Sequence, residues 1–162
     1  MGVITDEARE WADQEFPQFE FEVTKLDIAR FAHAIEATDP IHFDQEAARV
    51  AGFDDVVAPA LFPYVIRMNA YNLVSRAHLE QDGSPSADVP PLETRRAMAG
   101  ETAIEIGEPI VAGDVITVEK RLLTLYEKEG RSGPLVFVQM EFMFKNQGGQ
   151  MVAREQFTRI YR

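Results

Sequence analysis

The residues best suited to chemistry lie in the segment Asp39-Pro40-Ile41-His42, where a carboxylate stands three positions before an imidazole. An ordinary imidazole has a pKa of about 6.5, so a histidine can take or give a proton near neutral pH. We therefore take His42 and Asp39 as candidate catalytic residues for acid–base work. Two structural roles compete with this chemistry. His42 could be a plain structural residue, and Asp39 could bond the backbone of the turn before Pro40.

The composition excludes several other kinds of site. The 162 residues include no cysteine, which excludes disulfides, thiolate metal sites and cysteine nucleophiles. No metal-ligand spacing, phosphate-binding glycine loop or G-x-S-x-G elbow is present, so we expect no metal and no other cofactor. The formal net charge is −11, and no Lys/Arg cluster supplies a basic face, so we expect no nucleic-acid partner.

The length and composition are typical of a single soluble domain spanning 1–162. The first residues lack the basic start and apolar run of a signal peptide. No apolar stretch approaches the roughly 20 residues needed to cross a bilayer. We therefore expect a cytoplasmic protein without a membrane segment. Turn-forming residues at 81–91 predict a mobile loop between a mostly helical half and a mostly strand half.

The first half is expected to begin its core with a strand and a helix. Residues 19–23 alternate apolar and polar side chains, which indicates a half-buried strand. Thr24 and Asp27 resemble a capping box, although Asp is a weaker partner than Glu or Gln. Apolar residues at helical spacing then predict a helix to about Ala37, which Pro40 should end.

Two further helices are expected before the loop. The first runs over 45–51, with Asp44 as its N-cap and Gly52 at its C-terminal cap position. A longer helix should start at Pro59, because proline suits the first helical turn. Its apolar residues cover most of its circumference near the start, so we expect it to be buried on many sides.

The second half is expected to form four long strands joined by glycine-rich turns, an antiparallel meander. These strands are predicted at about 101–106, 115–126, 135–145 and 151–161. One strand, helices and four more strands make an α+β arrangement. A sheet wrapped around one buried long helix matches this order of elements.

Three stretches carry a resemblance to a known family. They are AIEATDPIHFD at 34–44, VVAPALF at 56–62 and EPIVAGD at 108–114. The chain resembles the MaoC-like enoyl-CoA hydratase/dehydratase family, in particular its N-terminal dehydratase domains of fatty-acid-synthase type. The resemblance implies the hot-dog fold, an antiparallel sheet wrapped around a long central helix.

The family's catalytic motif, G-D-x-N-P-I/L-H, is only partly present. In the family, the Asp and His activate a water that adds across the double bond of an enoyl thioester. The resemblance implies this role for His42. However, Glu36 stands at the family's Gly, Ala37 at its Asp and Asp39 at its Asn. Ala37 cannot act as a base, and Asp39 and Glu36 are the nearest carboxylates.

The resemblance also implies substrate-binding residues at a helix start and on a hairpin. The expected set is Ala58, Pro59, Ala60, Leu61, Phe62, Lys128 and Arg131. The N–H of Ala60 or Leu61 would polarise the thioester carbonyl, unless this is an ordinary buried helix start. Lys128 and Arg131 would meet the phosphates of coenzyme A, unless they are merely solvated residues of a hairpin tip.

The leading hypothesis is a subunit of an enoyl-CoA hydratase/3-hydroxyacyl dehydratase. It would act on acyl-CoA or acyl carrier protein thioesters within a homo- or hetero-oligomer of hot-dog domains. The loss of the Asp at Ala37 favours pairing with a second subunit that holds the intact motif. Two alternatives stay open: a non-catalytic acyl-thioester binding or scaffold subunit, and a hot-dog thioesterase.

Overall fold

The computed structural model describes residues 3–72, 76–81, 83, 85–93 and 96–162, and for residues 70–72 and 76 the backbone alone. Within these residues, the helices and strands follow the order expected from the sequence. They are α1 (Asp6–Ala12), β1 (Phe19–Glu22), α2 (Lys25–Ala34), α3 (Gln45–Val50), α4 (Pro63–Asn72), β2 (Ala97–Ile106), β3 (Val115–Gly130), β4 (Gly133–Lys145) and β5 (Met151–Tyr161).

The five strands form one antiparallel sheet in the order β1-β3-β4-β5-β2. β3, β4 and β5 make the expected meander. The prediction was wrong for β2, which does not pair with β3 but crosses to β5 and forms an edge. The segment between β2 and β3 cannot make a tight hairpin, because residues 110–114 are bonded to the chain around Val57 and Val23.

The inner face of the sheet packs against α4. Alternate residues of β4 are buried on this face: Val136, Val138, Met140, Phe142 and Phe144. Phe62, just before α4, and Ile66, in its first turn, are fully buried against them. Aromatic rings of β1 and α2 add edge contacts to Phe62. A long sheet wrapped around one helix is the hot-dog fold, as the sequence predicted.

α2 ends three residues earlier than expected, at Ala34. The N–H of Ala37 donates to the carbonyl of Ala32, and the N–H of Glu36 donates to that of His33. Glu36 has a φ of 56°, so the ending is a Schellman motif with Glu36 in its left-handed position. This motif ends the helix before the restriction imposed by Pro40 is reached. The capping box of Thr24 and Asp27 at the other end is confirmed.

α4 begins at Pro63, so the prediction of a start at Pro59 was wrong. Pro63 has no N–H to donate to the carbonyl four residues back, and its ring would clash with that carbonyl. Residues 60–62 therefore form turns closed by three-residue bonds, such as Phe62 N–H to the Pro59 carbonyl. The helix is also less enclosed than expected, because Leu61 and Met68 are 52% and 49% exposed.

The segment predicted as a mobile loop is partly described, with positions 82 and 84 outside the described residues. Its residues 86–88 form a 3-10 turn that contacts two other elements. The indole N–H of Trp11 donates to the carbonyl of Ala87, and Asp88 forms an ion pair with Lys120 of β3. These contacts tie the segment to α1 and to the inner face of the sheet.

Candidate active site

His42 lies at the end of a 3-10 turn, Pro40–His42, between α2 and α3. Its ring Nδ1 is 2.7 Å from the carbonyl oxygen of Val57. A carbonyl oxygen only accepts, so the proton of a neutral His42 sits on Nδ1. The Nε2 lone pair is then left to act as a base. The ring is half-buried, which leaves it accessible to a bound substrate.

Asp39 serves the backbone of the same turn. Its Oδ1 accepts a hydrogen bond of 3.1 Å from the N–H of Ile41 and caps the 3-10 turn. The side chain is exposed. This is the backbone role that was weighed against catalysis in the sequence analysis. Catalysis by Asp39 stays a prediction.

Glu36 and Ala37 lie in the turn that ends α2, just before Asp39. Glu36 adopts a left-handed φ of 56°, a conformation that glycine adopts without strain and other residues adopt rarely. It is the position aligned with the family's Gly. The conformation therefore supports the alignment and, with it, the assignment of Ala37 to the position of the family's Asp. Position 37 itself carries no carboxylate.

Residues 58–62, which were expected to bind the thioester carbonyl, directly follow Val57, whose carbonyl oxygen contacts the ring of His42. The N–H of Ala58 is already used, in a 2.8 Å bond to the carbonyl of Ile110. Among the described hydrogen bonds, none is donated by the N–H of Ala60 or Leu61, and both residues are exposed. Pro59 and Phe62 are buried behind them. Ala60 and Leu61 therefore keep free donors that could face a thioester oxygen.

Lys128 and Arg131 lie at the far end of the sheet from His42. Val57 bridges to Val111, just before β3 begins, whereas Lys128 is near the other end of this 16-residue strand. At 3.3 Å per residue, β3 is roughly 50 Å long along its path. The ammonium of Lys128 sits over the rings of Tyr126 and Phe137. The structure thus does not bring these two cations to His42 of the same chain.

A buried ion pair beneath α4 was missed by sequence reasoning. Arg67 Nε lies 3.0 Å from Glu155 Oε2, with side-chain exposures of 6% and 0%. The guanidinium also faces the rings of Tyr64, Phe142 and Phe157. Burial raises the pKa of Glu155, against the opposing effects of the Arg67 charge and the Tyr64 hydroxyl. The only sequence signal was a charged residue at an inward position of β5.

A second charged cluster lies on the outer face of the sheet. Burial alone would raise the pKa of Glu141, but hydrogen bonds from Arg154 and Arg121 outweigh it and the pKa is lowered.

Within the described residues, no group of three metal-ligand side chains occurs. None of the helices described is long and apolar enough to cross a membrane.

Comparison with known proteins decides the family. Residues 10–155 match the model of the FAS1-like dehydratase domain region. The chain belongs to this family. The match confirms the resemblance to MaoC-like dehydratases, and the hot-dog fold that it implied.

Several of the similar proteins are UPF0336 proteins. A UPF0336 protein of Leifsonia xyli is 31% identical over 140 residues, covering 86% of this chain and 85% of that protein. One from Clavibacter michiganensis is 39% identical over 90 residues, covering 56% of this chain and 54% of that protein. This alignment thus spans about half the length of the relative. A probable enoyl-CoA hydratase alpha subunit of Thermomonospora curvata is 26% identical over 82% of this chain and 43% of that protein.

Two similar solved structures are complexes from Mycobacterium tuberculosis. The HadBC (3R-hydroxyacyl-ACP dehydratase) complex gives a TM-score of 0.65 at 21% identity, covering 90% of this chain and 92% of that chain. The ChsH1-ChsH2 complex gives 0.69 at 15% identity, covering 96% and 93%. At these identities, the likeness shows the fold alone.

Proposed function

We propose that this chain is a subunit of an enoyl-thioester hydratase/3-hydroxyacyl dehydratase, paired with a second hot-dog subunit that carries the intact Asp/His motif. The observation that carries the proposal is that His42 is present while alanine stands at position 37, which aligns with the family's Asp. His42 keeps a free Nε2 held in orientation by the Val57 carbonyl.

The reaction needs two proton transfers. A base takes a proton from water as the water oxygen bonds to the β-carbon of the enoyl thioester, and the α-carbon gains a proton. The free N–H groups of Ala60 and Leu61 would stabilise the charge that gathers on the thioester oxygen. His42 can act as one base. Ala37 supplies no carboxylate to share the water with His42, which favours completion by a partner.

An apolar surface fits such a partner. Tyr64 donates a hydrogen bond to Thr102 of β2, so the side of α4 that holds Tyr64 faces the sheet edge. Met68, one turn further along α4, is 49% exposed, and Leu61, in the turn just before the helix, is 52% exposed. Met98 and Ile106 on β2 are 40% and 46% exposed. An edge strand with exposed apolar residues is a template for pairing with another chain, and the two solved complexes above contain two chains of this fold.

The test is to purify the chain alone and measure hydration of crotonyl-CoA and of bulkier enoyl-CoA substrates. We expect little turnover alone, and turnover once the partner is added. Robust turnover of the isolated chain that disappears in His42→Ala would overturn the helper role. Asp39→Asn tests the open role of Asp39, because an amide keeps the bond to the Ile41 N–H. Loss of turnover in the assembled complex would indicate catalysis by Asp39, and unchanged turnover would indicate the backbone role alone.

A non-catalytic thioester-binding subunit is the second candidate, favoured by Ala37. It predicts that acyl-CoA binds and that His42→Ala in this chain leaves the turnover of the assembled complex unaltered. In the same assay, release of free CoA thiol from a saturated acyl-CoA would instead indicate a thioesterase and overturn the hydratase proposal.

A further inference from the structure

A cationic groove lies at the end of the sheet remote from His42. It is a cavity of about 700 Å³ walled by the β3–β4 hairpin, the residue before β2 and the residue after β5. Among the described residues, its lining includes Arg96, Arg131 and Arg162, and Glu93 as the one acidic residue. In a chain with a net charge of −11, three guanidinium groups around one cavity mark a local reversal of sign.

The three guanidinium groups are available to a ligand. All three residues are exposed, and none forms an ion pair with a side chain in the described part of the chain. Arginine presents a planar fork of donors that suits phosphate oxygens. A cavity of this volume falls in the range of small-molecule sites. The groove therefore fits a phosphate-bearing ligand of nucleotide size.

The location of the groove decides which thioester site it can serve. Within one chain, the length of β3 separates the hairpin from the His42 region. Arg96 directly precedes β2, whereas the end of β2 at Ile106 leads to Ile110, whose carbonyl accepts from Ala58 beside His42. If two chains pair antiparallel along β2, the start of each β2 lies next to the end of the other. Arg96 of one chain then lies beside the thioester end of its neighbour.

We propose that this groove binds the phosphate groups of coenzyme A for the thioester site of the adjoining chain in an edge-paired dimer. The adjoining chain is the motif-bearing subunit in the assembled enzyme and a second copy of this chain when the chain is purified alone. The assignment rests on the proposed function for the presence of a thioester. This role does not require a carboxylate at position 37. The arginines of this chain would bind the coenzyme A phosphates while the site of the adjoining chain binds the acyl group.

The first test measures CoA binding to the purified chain by calorimetry and requires no catalysis. Arg96→Gln/Arg131→Gln should raise the Kd at least tenfold, and 3′,5′-ADP should compete with CoA. Arg30→Gln/Arg49→Gln is the matched control, an equal loss of two charges at exposed residues of α2 and α3. An unchanged Kd in the Arg96→Gln/Arg131→Gln variant overturns the assignment of the groove as a coenzyme A site. Competition by 4′-phosphopantetheine but not by 3′,5′-ADP overturns its assignment to the nucleotide.

The second test asks which chain's groove acts, and it uses the absence of native cysteine. Ala60→Cys introduces a single thiol at the thioester end. Attack of its thiolate on CoA disulfide forms a protein–CoA mixed disulfide and releases CoA thiolate. Mixed dimers are made from two differently tagged chains, with the Arg96→Gln/Arg131→Gln change either in the Ala60→Cys chain or in its partner.

Labelling should slow at least tenfold when the arginines are changed in the partner, and stay unchanged when they are lost from the labelled chain. The reverse pattern, or a chain that stays monomeric at the assay concentration, overturns the proposal of action across the dimer. Absence of hydratase turnover leaves both tests readable, so failure of the proposed function is distinguishable from failure of the groove.

Discussion

Replacing Glu36 by glycine should stabilise the protein, which is an unusual outcome for the loss of a side chain. A non-glycine residue in the left-handed region costs roughly 1–2 kcal/mol, through contact of Cβ with the following carbonyl. Glycine removes this cost but gives the unfolded chain more freedom, worth about 0.4–1 kcal/mol. The φ of Glu36 is 56° and its side chain is exposed, so no packing is lost.

The expected net gain in the free energy of unfolding is about 0.8 kcal/mol, the difference between the midpoints of these two ranges. For a chain of this size, it corresponds to a rise in Tm of roughly 1–4 °C. Urea titration followed by the fluorescence of the single tryptophan, Trp11, and by circular dichroism measures the gain. Both probes should report the same midpoint if unfolding is two-state.

Glu46→Gly is the matched control, because Glu46 is also exposed but lies in the first turn of α3. Glycine at a helical position costs about 1 kcal/mol. The two variants should therefore shift the stability in opposite directions. Equal destabilisation by both would refute the left-handed assignment of Glu36, and with it the alignment that places Ala37 at the family's Asp.

Three further predictions concern the site and the charged clusters. Ala37→Asp should restore the second catalytic group beside His42, so the isolated chain should gain turnover of crotonyl-CoA that disappears when His42→Ala is added. Arg67→Met should lower the free energy of unfolding by about 3–5 kcal/mol by leaving the buried Glu155 unpaired. Because the pKa of Glu155 is raised, its protonated form is favoured on folding, and this loss should grow as pH rises through that pKa. The pKa of Glu141 is lowered, so the advantage of wild type over Glu141→Gln should be present near neutral pH and vanish as pH falls through the lowered pKa.

A different result would contradict each of these three predictions. An inactive Ala37→Asp variant that folds and binds crotonyl-CoA would show that more than the carboxylate is missing from this site. If Arg67→Met/Glu155→Leu is no more stable than Arg67→Met alone, the unpaired charge is not the source of the loss. A difference in unfolding free energy between wild type and Glu141→Gln that is constant with pH would refute the assigned role of the Arg154 and Arg121 hydrogen bonds.

The sequence determined the features that depend on local spacing. The alternation in β4 placed one face on the core, the capping box of Thr24 placed the start of α2, and the glycines at 130 and 133 marked a hairpin. These signals are readable because each is set by neighbours within a few residues. The Pro–His segment marked the position of the candidate site for the same reason.

The tertiary structure decided what depends on distant residues. The pairing of β2 with β5, the contact of Arg67 with Glu155 and the meeting of Arg96, Arg131 and Arg162 each join residues that are remote in the chain. No local pattern encodes such a meeting, because it is set by the path of the whole sheet. Even the conformation of Glu36 was hidden, since its residue type disfavours the backbone that the helix end imposes on it.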